Sequence, residues 1–172
     1  MIRWIAILMV MLMTNICEAH IFIGDSRFVG MEMATEYDAT WISEGGVGNV
    51  FYWEQRDYIS TLDREEPVVY ALGVNDREAE DCVEVLNDMV SLGFKRIYFL
   101  TVTPVDESVG MYDVTNAEIC EYNDYVLSNI HDVQVIDGYD YLMSNGFEAD
   151  DGLHYDFETY ERLLQYIIKV IG

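Results

Sequence analysis

Basic residues are scarce. Nine Lys and Arg stand against 32 Asp and Glu, for a formal net charge of −23. A chain this acidic repels polyanions, which argues against nucleic acid and anionic lipid surfaces as partners. Cysteine is nearly absent, with 3 in 172 residues. That excludes a small scaffold held by disulfides, and no Cys/His cluster has the spacing of zinc ligands. Proline occurs only at Pro67 and Pro104, and no linker, repeat or low-complexity tract divides the chain. Histidine is limited to His20, His131 and His154, so any imidazole chemistry has few places to reside.

Apolar sequence is abundant by contrast, at 51%, and with its periodic apolar runs it argues against a disordered chain. The N-terminus is laid out as a signal peptide. Arg3 supplies a positive charge, Trp4 to Met13 is almost wholly apolar, and Cys17-Glu18-Ala19 ends in a small residue. The expected division is a leader over 1–19 and a single domain over 20–172. The apolar part is short for a membrane span of about 20 residues, so no stable insertion is expected once the leader is cleaved. The expected location is outside the cell: secreted, periplasmic or at the cell surface. Cys82 and Cys120 then remain, either as a bridge or as two free thiols.

Five apolar segments read as strands: His20 to Gly24, Thr40 to Ser43, Val68 to Leu72, Arg96 to Val102 and Val133 to Asp137. The third and fourth are continuous runs, as in strands covered on both faces. Helical periodicity marks Arg77 to Leu92, Asn116 to Ile130 and Phe157 to Ile171. Strands alternating with helices imply a parallel sheet with helices on both faces.

The chemistry-bearing residues lie at the ends of these segments. Ser26 follows the first strand in Gly24-Asp25-Ser26-Arg27, at the sheet edge where open α/β folds place their sites. It is a candidate nucleophile or a helix cap. Asn75 follows the third strand in Gly73-Val74-Asn75-Asp76, as an amide donor to an oxyanion or as a turn residue. Gly45-Gly46-Val47-Gly48-Asn49 follows the second strand and could offer a backbone N–H to the same oxyanion or simply form a turn. Near the C-terminus, Asp151 precedes His154 by three residues. That spacing lets a carboxylate orient an imidazole. Asp150 competes for this role, and the spacing favours Asp151.

Taken together and in this order, these blocks resemble the SGNH hydrolases, also called GDSL esterases and lipases. The resemblance runs from about His20 to the C-terminus. It implies a three-layer α/β/α sandwich with a flavodoxin-like, five-stranded parallel sheet in the order 2-1-3-4-5. It implies Ser26 as nucleophile, His154 as base and Asp151 as its partner. The oxyanion hole would combine the Ser26 N–H, the Gly46 N–H (Gly48 being the other register) and the Asn75 amide. No metal or organic cofactor enters such a mechanism.

Two positions depart from the pattern, and the glycine block matches it only loosely. Arg27 stands where many members have an uncharged residue, and Tyr155 follows the histidine where proline is frequent. Arg27 is available to an anionic substrate group or to an ion pair with one of the many carboxylates. Trp41, Tyr52, Trp53 and Tyr155 could line a sugar-binding rim, with Trp53 and Tyr155 the substrate-contacting candidates. The implied function is an exported serine esterase that removes O-acetyl or other short O-acyl groups, with carbohydrate as one class of carrier. An O-acyltransferase using a glycan acceptor, and an inactive binding module of the same fold, are the alternatives.

Overall fold

The structure is a computed structural model that describes residues 20–172. The leader expected over Met1–Ala19 lies outside the described residues. Five strands, β1 (Ile21–Gly24), β2 (Thr40–Ser43), β3 (Val68–Ala71), β4 (Ile97–Leu100) and β5 (Gln134–Ile136), form one sheet in the order β2-β1-β3-β4-β5. Every pairing is parallel. Six helices connect and follow them: α1 (Ser26–Ala34), α2 (Val50–Ile59), α3 (Ala79–Leu92), α4 (Asn116–Asn129), α5 (Gly138–Asn145) and α6 (Phe157–Ile171).

The two faces of the sheet carry separate cores. Side chains alternate across a strand, so Ile21 and Ile23 face one layer while Phe22 faces the other. Ile21, Ile23, Tyr70 and Phe99 join α2, α3 and α4 in the first core. Phe22, Val69, Tyr98 and Ile136 join α1, α5 and α6 in the second. The result is the expected three-layer sandwich in the expected strand order. Burying a large apolar side chain is worth about 1.5–3 kcal/mol, and both layers are filled with such groups.

Local signals fix where the helices start. Asp156 caps α6 by accepting from the Thr159 N–H at 2.8 Å. Thr115 and Glu118 form a reciprocal capping box at the start of α4. Three helices were not among the periodic segments. α1 and α5 are short, and α5 buries just one large side chain, Leu142. α2 follows the glycine turn, carries the aromatic run Phe51-Tyr52-Trp53, and buries Phe51, Tyr52 and Ile59. β5 is a sheet edge with only Ile136 buried among its three residues, which explains its weak apolar signature.

Cys82 is buried, Cys120 is exposed, and both are free thiols. Among the described residues, no helix is long and apolar enough to cross a membrane.

Candidate active site

The parallel sheet brings the loops after β1, β2 and β3 to one edge, where they meet the turn before α6. Ser26 is the first residue of α1, directly after Asp25. Asp25, rather than Ser26, is the helix cap, and its carboxylate accepts from the Arg27 N–H at 2.9 Å. The serine hydroxyl is thereby released from capping. Its backbone N–H is one of the helix-terminal donors without an intrahelical acceptor. The helix dipole favours negative charge at this point.

His154 Nε2 lies 2.8 Å from Ser26 Oγ, and His154 Nδ1 lies 2.7 Å from Asp151 Oδ2. Asp151 Oδ1 accepts from the backbone N–H groups of Leu153 at 2.9 Å and His154 at 2.7 Å. Partial burial pulls the Asp151 carboxyl upward. Hydrogen bonds from the His154 ring and from the two backbone donors outweigh that and hold it well below the usual carboxylate range. An ionised Asp151 accepts a hydrogen bond from the Nδ1–H, and this tautomer leaves Nε2 as an acceptor facing the hydroxyl. Asp150 is exposed on the neighbouring turn and makes no such approach.

Asn75 is exposed at the end of β3, and its Nδ2 donates to Val47 O at 2.8 Å. An amide nitrogen has two N–H groups. One anchors the side chain to the glycine loop and the second remains for another acceptor. The motif glycine before it, Gly73, adopts φ +130°, and a Cβ there would fall 2.3 Å from Tyr122. Glycine is thus required twice over, by conformation and by space.

The glycine loop itself is braced by a residue whose role the sequence left open. The Asp76 carboxylate accepts from the Asn49 backbone at 2.5 Å and from its side chain at 3.1 Å. Asn49 is fully buried and in turn accepts from the Tyr70 hydroxyl at 2.7 Å. Gly48 lies directly against Asp76, since a Cβ on it would come within 2.2 Å of that carboxylate. Gly46 is exposed in the preceding turn at φ +77°, with open space around it.

Three expectations about substrate contacts are corrected. Arg27 is 7% exposed and directs its guanidinium into the protein, toward backbone carbonyls of Leu153, Thr103 and Pro104. Neither an anionic substrate group nor a surface carboxylate holds it. Tyr155 is 5% exposed and donates its hydroxyl to Pro104 O, so it is packing and not rim. Tyr52 is fully buried, and Trp41 stacks on Phe22 at 4.4 Å. Of the four aromatic candidates only Trp53 is largely exposed, at 42%. Bulky aromatic rings bury large areas wherever a core will take them.

Tyr112 is a neighbour that sequence reasoning missed. Its hydroxyl donates to Asp151 Oδ2 at 3.2 Å and its ring stands edge-on to His154 at 5.9 Å. Nothing in a loop after β4 singles out one tyrosine; the contact spans 39 residues. A cavity of about 200 Å³ opens beside it, walled by Asp106, Glu107, Met111, Asp113 and Asp151 among others. Among the described residues, no group of His, Cys, Asp or Glu is arranged to hold a metal ion.

No family model matches the chain, and no curated protein sequence does. Solved structures match over most of its length. A lipase/acylhydrolase from Enterococcus faecalis is 19% identical with a TM-score of 0.68, covering 90% of this chain and 95% of that one. An acetyl xylan esterase is 16% identical with a TM-score of 0.70, covering 90% and 100%. The C-terminal catalytic domain of a peptidoglycan O-acetyltransferase from Streptococcus pneumoniae is 14% identical with a TM-score of 0.64, covering 90% and 94%. With its all-parallel sheet in the order 2-1-3-4-5 and these neighbours, the chain has the fold of the SGNH hydrolases.

Proposed function

We propose that this protein is a serine ester hydrolase that works through an acyl-enzyme. The observation that carries this reading is the continuous chain from Asp151 Oδ2 through His154 to Ser26 Oγ, with contacts of 2.7 and 2.8 Å. His154 takes the hydroxyl proton as Ser26 attacks an ester carbonyl. The carbonyl oxygen becomes an oxyanion held by the Ser26 N–H, a glycine N–H and the second N–H of Asn75. The alcohol leaves with the proton from His154. Water, deprotonated by the same imidazole, then attacks the acyl-enzyme and frees the carboxylic acid.

The glycine donor is Gly48 in this reading, in place of Gly46. Gly48 enters α2 beside Asp76 and is adjacent to Val47, whose carbonyl holds Asn75. A donor must be fixed before the charge develops to be worth its full effect, and the braced glycine meets that condition better than the exposed one.

The substrate proposed is a neutral ester with a short acyl group, O-acetyl above all, on a small molecule or a carbohydrate. The carboxylate-walled cavity beside Asp151 and the strongly acidic chain both disfavour anionic esters. An acetyl xylan esterase shares the fold, which is the main support for a carbohydrate carrier now that Tyr52 and Tyr155 lie in the core and Trp41 packs against it. An O-acetyltransferase domain also shares it, so transfer to a sugar hydroxyl is the second reading. We place the mature protein outside the cell, on the strength of the leader read over Met1–Ala19.

Ser26→Ala tests the reading. Turnover of a short-chain aryl ester falls to background while the circular-dichroism spectrum is unchanged, and a serine-directed phosphonate labels Ser26 alone. Undiminished turnover in that variant rejects the nucleophile. Product analysis with an excess of acceptor sugar separates free acid from acyl transfer.

A further inference from the structure

The two residues at which the chain departs from the SGNH pattern each follow a member of the candidate triad: Arg27 follows Ser26, and Tyr155 follows His154. In the fold they meet. The Arg27 guanidinium carbon lies 5.2 Å from the Tyr155 ring centroid. Both side chains donate to one acceptor, Pro104 O, Arg27 through Nη2 at 3.1 Å and Tyr155 through its hydroxyl. Arg27 also donates through Nε to Leu153 O at 3.2 Å, and through Nη1 to Thr103 O at 2.7 Å and Thr103 Oγ1 at 2.9 Å. Leu153 is the residue just before the histidine.

These bonds tie three separate segments at one buried point. They are the first turn of α1 that carries the nucleophile, the segment after β4, and the turn that carries the histidine. A buried cation loses its water and needs polar partners in exchange. Here the partners are carbonyl dipoles and a hydroxyl, arranged to suit a planar fork with five N–H donors. A leucine at position 27 could make none of these bonds, and a proline at 155 could neither support the guanidinium nor reach Pro104 O.

We propose that Arg27 and Tyr155 act together as a positioning clamp that sets the distance between Ser26 Oγ and His154 Nε2. The inference rests on the acyl-transfer reading above. Neither side chain touches substrate. Their effect passes through the two residues they adjoin. A misplacement of about 1 Å between reacting groups can cost about 100-fold in rate, so a clamp of this kind is read in turnover and not only in stability.

The test compares Arg27→Met, Tyr155→Phe and the double variant with the wild type. It measures kcat and KM on a short-chain aryl ester, the pH profile of kcat, and the melting temperature. Each single variant is expected to lower kcat by about tenfold or more with KM changed by less than about twofold. The double variant is expected to fall no further than the worse single, because both side chains act through the same carbonyl. A merely structural role lowers the melting temperature and leaves kcat and its pH profile intact in folded protein; that result overturns the clamp. Two effects that multiply independently overturn the coupling. If Arg27→Met does not fold, Tyr155→Phe, which loses a single hydroxyl, decides on the same kcat criterion. Wild-type turnover that does not depend on Ser26 overturns the acyl-transfer reading and the clamp with it. Ser26-dependent turnover with unaffected clamp variants overturns the clamp alone.

Discussion

The Tyr112 hydroxyl donates to Asp151 Oδ2, the same oxygen that faces His154 Nδ1. The two donors therefore share one acceptor. Removing the phenol takes away one of the two donors to that oxygen, which fix the carboxylate beside the imidazole. Tyr112→Phe should cost about two- to fivefold in kcat/KM at neutral pH, in keeping with one hydrogen bond of about 0.5–1.5 kcal/mol. An unchanged kcat/KM on the aryl ester would show that the contact is incidental.

Asn75 is anchored to Val47 O and is assigned to the oxyanion. Asn75→Ala should lower kcat by about 10²–10³ with little change in KM, as for the loss of one oxyanion donor. Steady-state kinetics on the aryl ester check this, and a change confined to KM would move Asn75 from transition-state stabilisation to binding.

The two glycine registers make opposite predictions. A methyl at position 48 would meet the Asp76 carboxylate that braces the loop, whereas one at position 46 meets nothing. Gly48→Ala should cost about tenfold or more in kcat by displacing the donor loop. Gly46→Ala should leave kcat within about twofold and lower stability by about 1 kcal/mol, the cost of a side chain at positive φ. Kinetics and thermal melts on both variants decide between them.

Asp25 supplies a pH test. Burial pushes its carboxyl up to about 6, against the opposing pull of Arg27. A carboxyl raised in the folded state favours folding at low pH, and that contribution is lost as pH rises from its ordinary value of 3.8 through about 6. At about 1.4 kcal/mol per pH unit the loss is about 3 kcal/mol. Asp25→Asn keeps a good helix cap and removes the titration. Denaturant unfolding should show the wild type losing about 3 kcal/mol relative to the variant between about pH 2 and pH 7. A constant difference would mean that the carboxyl is not held neutral by its burial.

The sheet was legible because its signals are local. Ile21-Phe22-Ile23 and Val68-Val69-Tyr70 are apolar runs of strand length, and α6 repeats its buried positions at helical spacing. α5 and β5 carried weak signals because each has a single large buried side chain. The pairing of Asp151 with His154 was legible for the same reason, being a contact across three residues. The misreadings all concern contacts between distant segments. Arg27 reaches Leu153 across 126 residues, and Trp41 and Tyr155 are packed against Phe22 and Pro104 in place of forming a rim. Composition says that an aromatic or a cation is present; only its neighbours say whether it meets solvent.

By itself, then, the sequence determined the alternation of strands and helices and the identities of the groups able to exchange a proton, since both depend on residue type and short spacing. The tertiary structure alone decided which oxygen Tyr112 shares, where Arg27 turns, and which glycine is braced. Those outcomes depend on how separate loops converge at one sheet edge, and convergence is set by packing across the whole domain, not by any stretch of chain.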